Sequence, residues 1–229
     1  MDGVSAIDLI LGSDRTLLAI VRLSLIVTVT ATLMAAMIAM PLGAAVALTQ
    51  FPGRGAVVVA LNGLMGLPPV VVGLLVFLAL SRSGPLGPLG ILFTPTAMVI
   101  AQTVLIAPIL AALSRQVIED LWAEYRDELT AMEVGPFGRV QTLLWDARFS
   151  LVTILLAGFG RAAAEVGAVM IVGGNIDGFT RVMTTTIALE TSKGDLALAI
   201  GLGIVLIGII MAVNALAWGV RHWAERHAG

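Results

Sequence analysis

The sequence predicts an all-α integral membrane protein, and three observations support this fold class. Hydrophobic residues make up 59% of the 229 residues and charged residues 12%, whereas soluble domains have roughly 45–50% apolar and 25% charged residues. The mean hydropathy is +1.02. Four runs without Asp, Glu, Lys or Arg exceed the roughly 20 residues that cross a bilayer. They are Leu23–Gly53, Gly55–Ser81, Ser83–Ser114 and Leu196–Val220.

Five membrane spans are expected in all. The fourth is an equally apolar stretch whose only charges are Arg161 and Glu165. The predicted spans are Ser24–Leu48, Ala56–Leu80, Pro95–Leu113, Ser150–Val172 and Leu196–Trp218. Connectors rich in Gly, Pro and Asn follow the first, second and fourth spans, as turns require. We therefore expect an N-terminal extracytoplasmic or interfacial segment (1–22), one membrane domain (23–218) and a cytoplasmic tail (219–229).

The connector between the third and fourth spans carries an unusual share of the charge. The segment Arg115–Arg148, called here the charged segment, holds 11 of the 28 charged residues. If it faces the cytoplasm, that side carries seven Lys and Arg residues against five outside. This bias predicts that the N-terminus lies outside and the C-terminus inside.

The charged segment is predicted to fold into two short helices. Apolar residues at four-residue spacing indicate an amphipathic first helix; they are Val117, Leu121, Tyr125 and Leu129. Gly135, as the residue after the helix, and Pro136 are expected to end it. A second helix, Val140–Trp145, then leads into the fourth span. The loop 114–149 is therefore a polar piece outside the bilayer, where a partner protein could bind.

Two short helices joined by a turn at a membrane surface resemble the coupling segment of ABC importer permeases. That family's pattern is EAA, three further residues and Gly, and here LTAMEVG occupies it. Ala131 and Gly135 match, while Leu129 and Thr130 stand where the family has Glu and Ala. Glu128 or Glu133 would then serve in place of the missing Glu.

Three other segments are similar to molybdate and tungstate permeases. They are LPPVVVG (67–73), FGRAAAEVGAVMIVGGNI (159–176) and TRVMTTTIALETSKGDLALAIGLGIVL (180–206). The sequences WDARF and VGAVMIVGGNI favour the tungstate branch of this family, and the similarity covers most of Leu23–Trp218.

The resemblance implies a type I ABC importer permease with five transmembrane helices and a cytoplasmic coupling-helix loop between spans 3 and 4. It implies a homodimer in the cytoplasmic (inner) membrane of a prokaryote, two cytoplasmic ATPase subunits and a periplasmic or lipid-anchored oxyanion-binding protein. The substrate would be tungstate, with molybdate or sulfate as alternatives. In the sequence itself, GxxxxGK[ST] is absent and the only lysine is Lys193, so ATP hydrolysis belongs to a partner chain. We expect no cofactor, no metal and no nucleic-acid partner.

Six residues of the charged segment are the candidates for ATPase coupling. They are Glu128, Ala131, Glu133, Gly135, Phe137 and Arg139. Gly135 is predicted to form the turn between the two helices.

Polar or helix-breaking residues within the predicted spans are the candidates for the translocation pathway. They are Pro68, Pro69, Arg161, Glu165, Gly173 and Asn175. Intramembrane charges usually face a protein interior or water and are paired. Arg161 and Glu165 therefore either form an i,i+4 pair that fixes packing, or Arg161 adds positive potential along the path of an oxyanion. Likewise, Pro68 and Pro69 mark a packing kink or a cavity, and the GGN motif containing Gly173 and Asn175 is a helix stop or an anion-binding concavity.

Other function classes fit the sequence less well. An electron carrier needs ligands in its spans, but the only histidines, His222 and His227, lie in the tail. A secondary transporter usually shows paired repeats and broken helices at corresponding positions. A membrane enzyme would need a second acid or a His near Glu165, and a passive scaffold leaves the amphipathic charged segment unexplained.

Overall fold

The protein is described by a computed structural model that covers residues 15–227, with the side chains of residues 16–219. The helices are α1 (Arg15–Leu48), α2 (Arg54–Leu64), α3 (Pro69–Leu80), α4 (Pro95–Ala131), α5 (Pro136–Asp146), α6 (Arg148–Ala163), α7 (Gly167–Gly173), α8 (Met183–Lys193) and α9 (Leu196–His227). A 3-10 turn, Gly87–Leu89, precedes α4. Residues 15–227 contain no strand, which confirms the all-α class.

The described helices provide between three and five membrane spans. α1, α4 and α9 are each long and apolar enough to cross a bilayer alone. Two further spans result if each of two bent pairs counts as one: α2 with α3, bent by 104°, and α5 with α6, bent by 67°.

The second predicted span is not a continuous helix. The kink expected at Pro68 and Pro69 is a complete break within the predicted span Ala56–Leu80, because α2 ends at Leu64 and α3 begins at Pro69. Pro68 and Pro69 lack the N–H groups that would continue the α2 hydrogen-bond ladder. Pro68 is instead extended (φ −65°, ψ 123°), and Pro69 takes the first helical position of α3, where a missing N–H costs nothing.

The fourth predicted span is also interrupted. The prediction of one helix over Ser150–Val172 is wrong, because α6 ends at Ala163 and α7 begins at Gly167. At this break, a Glu165 carboxylate oxygen accepts the N–H of Ala168 in the first turn of α7 at 3.0 Å. An anion at that position stabilises a new helix start.

The third predicted span is longer than expected. The prediction of a separate amphipathic helix after Leu113 is wrong, because α4 continues without a break to Ala131. Neither Gly nor Pro occurs between Leu113 and Ala131, so nothing in the chain ends the helix. The amphipathic pattern itself is confirmed, since Val117, Leu121, Tyr125 and Leu129 all belong to one apolar cluster with α1 and α5.

The turn after α4 places its left-handed residue earlier than predicted. Glu133 has φ 52°, whereas Gly135 has φ −65° and ψ 164°. The prediction that Gly135 supplies the turn is therefore wrong. Pro136 forces the residue before it into extended backbone, so the reversal falls on Glu133. α5 also begins at Pro136, four residues before the predicted Val140.

The outer helices also differ from the predicted boundaries. α1 is helical from Arg15 rather than from Ser24, and α9 continues to His227. Residues 1–14 and 228–229 lie outside the described part of the chain. α8 occupies a stretch predicted as a connector, and its first N–H, that of Met183, bonds to Ser24 Oγ of α1 at 2.8 Å. The start of this helix is rich in Thr and shows no clear apolar periodicity, so the sequence did not predict the helix.

The centre of the fold is the contact between α1 and α4. Small residues of α1, Ala35 and Ala39, are buried against Ile106 and Leu110 of α4. The approach is closest at Gly43, where a Cβ atom would lie 2.6 Å from Ala111 O. Small residues let helix backbones come together in this way within membranes.

We predict that Gly43→Ala destabilises the protein. The added methyl group would also lie 2.9 Å from Arg115 N, and overpacking of this kind costs about 1–3 kcal/mol. Gly203→Ala is the matched control, since no described atom lies within 4 Å of its Cβ position. Tryptophan fluorescence during heating in detergent should show a lower unfolding midpoint for Gly43→Ala alone. Equal midpoints for the two variants would contradict the close helix contact.

Candidate functional site

The end of α4 and the start of α5 form an exposed tip, defined as residues 128–137. Met132 is 72% exposed and Phe137 81% exposed. With Phe137, five of the six predicted coupling residues are exposed at the tip; the other four are Glu128, Ala131, Glu133 and Gly135. Large apolar side chains this exposed, rimmed by acids, are typical of a protein-binding surface.

Two hydrogen bonds and one cation–π contact stabilise the conformation of the tip. Val134 N–H donates to Leu129 O at 3.1 Å, and Arg139 Nε donates to Val134 O at 2.7 Å. The Arg139 guanidinium lies 5.4 Å from the centre of the Trp122 ring on α4. Arg139, predicted as a coupling residue, therefore lies in the support of the tip and not on its exposed surface.

The surface around the tip is negatively charged. Five exposed acids lie on this part of the chain: Asp120, Glu124, Asp127, Glu128 and Glu133. None of them forms an ion pair within the described residues. The negative potential raises the pKa of Tyr125, mainly through the carboxylate of Glu124, with burial and then Asp146 and Glu128 adding to it. A partner that binds here needs apolar contacts with a basic rim.

A second polar site lies at the break between α6 and α7. Glu165 is only 2% exposed, and one of its carboxylate oxygens accepts a hydrogen bond from Arg161 Nη1 at 2.9 Å. Its other oxygen bonds the N–H of Ala168. The Arg161 side chain is 36% exposed. The buried carboxylate is thus fully engaged, while the guanidinium is held at one nitrogen and has further donors directed elsewhere.

The start of α3 lies beside this break. A Cβ atom on Gly167 would lie 3.0 Å from Val70 Cγ2 and 3.7 Å from both Val70 N and Glu165 Oε1. The two prolines that open α3 are therefore close to the Arg161–Glu165 pair. Two breaks in membrane helices, at Pro68–Pro69 and at Ala164–Val166, meet at one place.

Gly173 and Asn175 lie at the opposite end of α7. Gly174, at the end of that helix, is left-handed (φ 70°), as is Asn175 (φ 49°). Thr180 Oγ1 donates to Gly173 O at 2.6 Å and accepts the N–H of Ile176 at 2.9 Å. The GGN motif has the geometry of a helix stop, and the structure does not bring it to Arg161 and Glu165.

Two polar residues at the break were missed by the sequence analysis. Gln102 of α4 is 3% exposed, and its Nε2 donates to Ala162 O at 3.0 Å. Thr184 Oγ1 of α8 donates to Glu165 O at 2.7 Å. They add side-chain hydrogen bonds to two carbonyl groups at the break, of which Ala162 O also accepts the N–H of Glu165 at 3.1 Å. A signal for Gln102 was available, since it is an amide in a run without charges.

Comparison with known proteins assigns the family. No family model matches the chain. A probable anion ABC transporter permease protein of Haloferax volcanii is 40% identical over 87% of this chain and 88% of its own length. The tungstate uptake system permease protein of Peptoclostridium acidaminophilum is 38% identical over 95% of both chains, and that of Campylobacter jejuni is 40% identical over 66% of this chain and 63% of its own. Permease subunits transport rather than catalyse, and the chain belongs to the ABC importer permeases of the tungstate and molybdate oxyanion family.

Proposed function

We propose that this protein is the permease subunit of an ATP-driven importer that moves tungstate across the cytoplasmic membrane. Two copies would form one pathway, with two ATPase subunits at the cytoplasmic face and an oxyanion-binding protein at the outer face. Each copy would span the membrane five times, through α1, the α2–α3 pair, α4, α6 continued by α7, and α9. Of the bent α5–α6 pair, only α6 would lie in the membrane, because α5 begins within the exposed tip. The N-terminus would lie outside and the C-terminus inside.

The observation that carries the proposal is the exposed tip on α4. Met132, directly after the last residue of α4, and Phe137, in the first turn of α5, are exposed at the end of a helix that is continuous with a membrane span. An apolar surface on a rigid support suits a partner whose movement must reach the bilayer. The charged surroundings suit a soluble protein and not lipid as that partner.

Transport would follow from two states of the ATPase pair. Closure of that pair on nucleotide would move both tips, and α4 would carry the displacement to the packed helices of the bundle. Such coupling requires contacts that differ between two states and an element stiff enough to transmit the change. α4 meets the second requirement through its unbroken length of 37 residues.

Arg161 would guide the anion through the membrane. Its guanidinium is half-buried, lies at the meeting point of two helix breaks and is held at one nitrogen by Glu165. Glu165 also neutralises much of its charge, which suits a transit site, because an ion must leave as readily as it binds. Pro68 and Pro69 would keep the start of α3 open at this position.

The comparisons favour tungstate over related anions. Relatives at 38–40% identity include two tungstate permease proteins, whereas a molybdenum transport permease of Mycobacterium tuberculosis is 30% identical and a sulfate transport permease of Synechococcus elongatus is 29% identical. Molybdate is the second candidate and sulfate the third.

Two measurements test the function. Uptake of tungstate by cells should stop when ATP is depleted and continue when an ionophore collapses the membrane potential; the reverse result would indicate a secondary transporter. Calorimetric titration of the cognate binding protein with tungstate, molybdate and sulfate should show the tightest binding for tungstate. Selective binding of sulfate would overturn the substrate assignment.

We predict that Phe137→Ala weakens binding of the ATPase. A buried aromatic anchor at an interface commonly contributes at least about 2 kcal/mol, while an 81% exposed side chain adds little to folding. Affinity for the purified ATPase, measured by biolayer interferometry, should fall while the unfolding midpoint stays unchanged. Phe179→Ala, a change at a half-exposed Phe beyond α7, is the control. Equal affinity for the parent and both variants would remove the tip from the interface.

We predict that Arg161→Gln lowers tungstate uptake by about tenfold or more, since a charge of this kind concentrates ions by that order. Glu165→Gln keeps an oxygen for the Ala168 N–H but removes the negative charge. The double variant distinguishes the two roles of Arg161. If Arg161 guides the anion, the double variant stays as slow as Arg161→Gln. Recovery of uptake in the double variant would show that the pair only fixes packing.

A further inference from the structure

A group of three charged residues joins α1, α2 and α4 just before α4 extends toward the tip. Arg54 Nη2 donates to one carboxylate oxygen of Glu119, and Arg115 Nη1 donates to the other. Arg54 Nε also donates to Val46 O in the last turn of α1 at 2.9 Å. We call this group the Arg54–Glu119–Arg115 triad.

The side chains of the triad are less exposed to solvent than those of an ordinary surface ion pair. The exposed fractions of the side chains are 22% for Arg54, 29% for Glu119 and 12% for Arg115. Both carboxylate oxygens are engaged by guanidinium groups, and such charge-assisted bonds are the stronger and more directional kind. Removal of one member of a partly buried pair leaves the other charges poorly compensated.

The position of the triad sets its mechanical role. Immediately toward the membrane, Gly43 brings α1 against Ala111 and Ser114 of α4. Beyond Glu119, the outer faces of α4 are exposed up to the tip. The inner face of α4 still packs on α5 and the end of α1 beyond Glu119, through Leu121, Tyr125 and Leu129. Glu119 is therefore near the point where α4 passes from its long contact with α1 and α2 to the part that carries the tip.

Arg54 links Glu119 to α2, so a displacement of Glu119 can be passed to that helix. It is the first residue of α2, which packs on α4 through Leu61 and Val57 and leads to the 104° bend before α3. The start of α3 lies beside Glu165. A movement of Glu119 would thus be transmitted to α2 through Arg54 and on to the break at Pro68–Pro69.

We propose that Glu119 is a positioning residue for ATP-coupled transport, which holds α2 to α4 through Arg54 so that tip movement reaches the helix breaks. This inference rests on the proposed function. The bond from Arg54 crosses between helices, whereas the bond from Arg115 stays within α4. The coupling role belongs to the Arg54–Glu119 bond, and Arg115 orients the carboxylate.

The test uses the complete importer, with permease, ATPase and binding protein, in proteoliposomes. Tungstate uptake and phosphate release are measured on the same sample, and their ratio gives anions moved per ATP. For Arg54→Gln and Glu119→Gln, we expect normal assembly and a ratio lowered at least about fivefold, the lower end of typical coupling energies. For Arg115→Gln, and for the exposed control Gln116→Ala, the ratio should stay within about twofold of the parent.

Each outcome decides the matter. An unchanged ratio in Glu119→Gln overturns the inference, as does an Arg115→Gln defect equal to that of Arg54→Gln, which would indicate a local effect on helix stability. If Glu119→Gln does not assemble, Glu119→Asp replaces it; this variant keeps the charge on a shorter side chain, and an unchanged ratio in it also overturns the inference. Failure of the proposed function is distinct, since the parent protein would then show no ATP-dependent uptake.

Discussion

Close packing of α1 on α4 is the constraint on which the rest of the structure depends. The two helices meet through Ala35, Ala39 and Gly43 on one side and through Ile106 and Ala111 on the other. In a bilayer, lipid tails are as apolar as these side chains, so packing and not water exclusion holds the helices together. This contact fixes the N-terminal half of α4, and the C-terminal half can then act as a rigid extension toward the tip.

The helix breaks obey a second constraint of the bilayer. Backbone groups freed by a break must find partners within the protein, and here several of the partners are side chains, two from other helices and one from the break itself. Gln102 bonds Ala162 O, Thr184 bonds Glu165 O, and the Glu165 carboxylate bonds the N–H of Ala168. The breaks can thus persist at the centre of the molecule. A pathway for a polar ion requires irregular backbone of this kind.

Much of the helical content followed from composition, and the two prolines at Pro68 and Pro69 indicated an interruption of the second span. The break between Ala163 and Gly167 and the length of α4 were not predicted. The continuity of α4 was missed because the change from apolar to charged residues at Arg115 was taken as the end of a helix. The exposed tip was predicted correctly as a surface from its amphipathic pattern. The left-handed turn was assigned to Gly135 by residue type, whereas the restriction imposed by Pro136 places it at Glu133. Two side chains that bond the break come from distant parts of the chain, Gln102 of α4 to Ala162 O and Thr184 of α8 to Glu165 O, at sequence distances that no local pattern reveals.

We propose that α4 transmits movement as one rigid helix from the tip into the membrane. The chain contains no cysteine, so spin labels can be attached through cysteines introduced at the exposed positions Val104 and Asp127. Twenty-three residues of α-helix separate the two sites, which corresponds to about 34 Å. Pulsed electron paramagnetic resonance on the assembled importer should give this intrahelical distance both without nucleotide and with a non-hydrolysable ATP analogue. A nucleotide-dependent change of about 5 Å, one helical turn, would show that α4 bends or unwinds and would contradict the account.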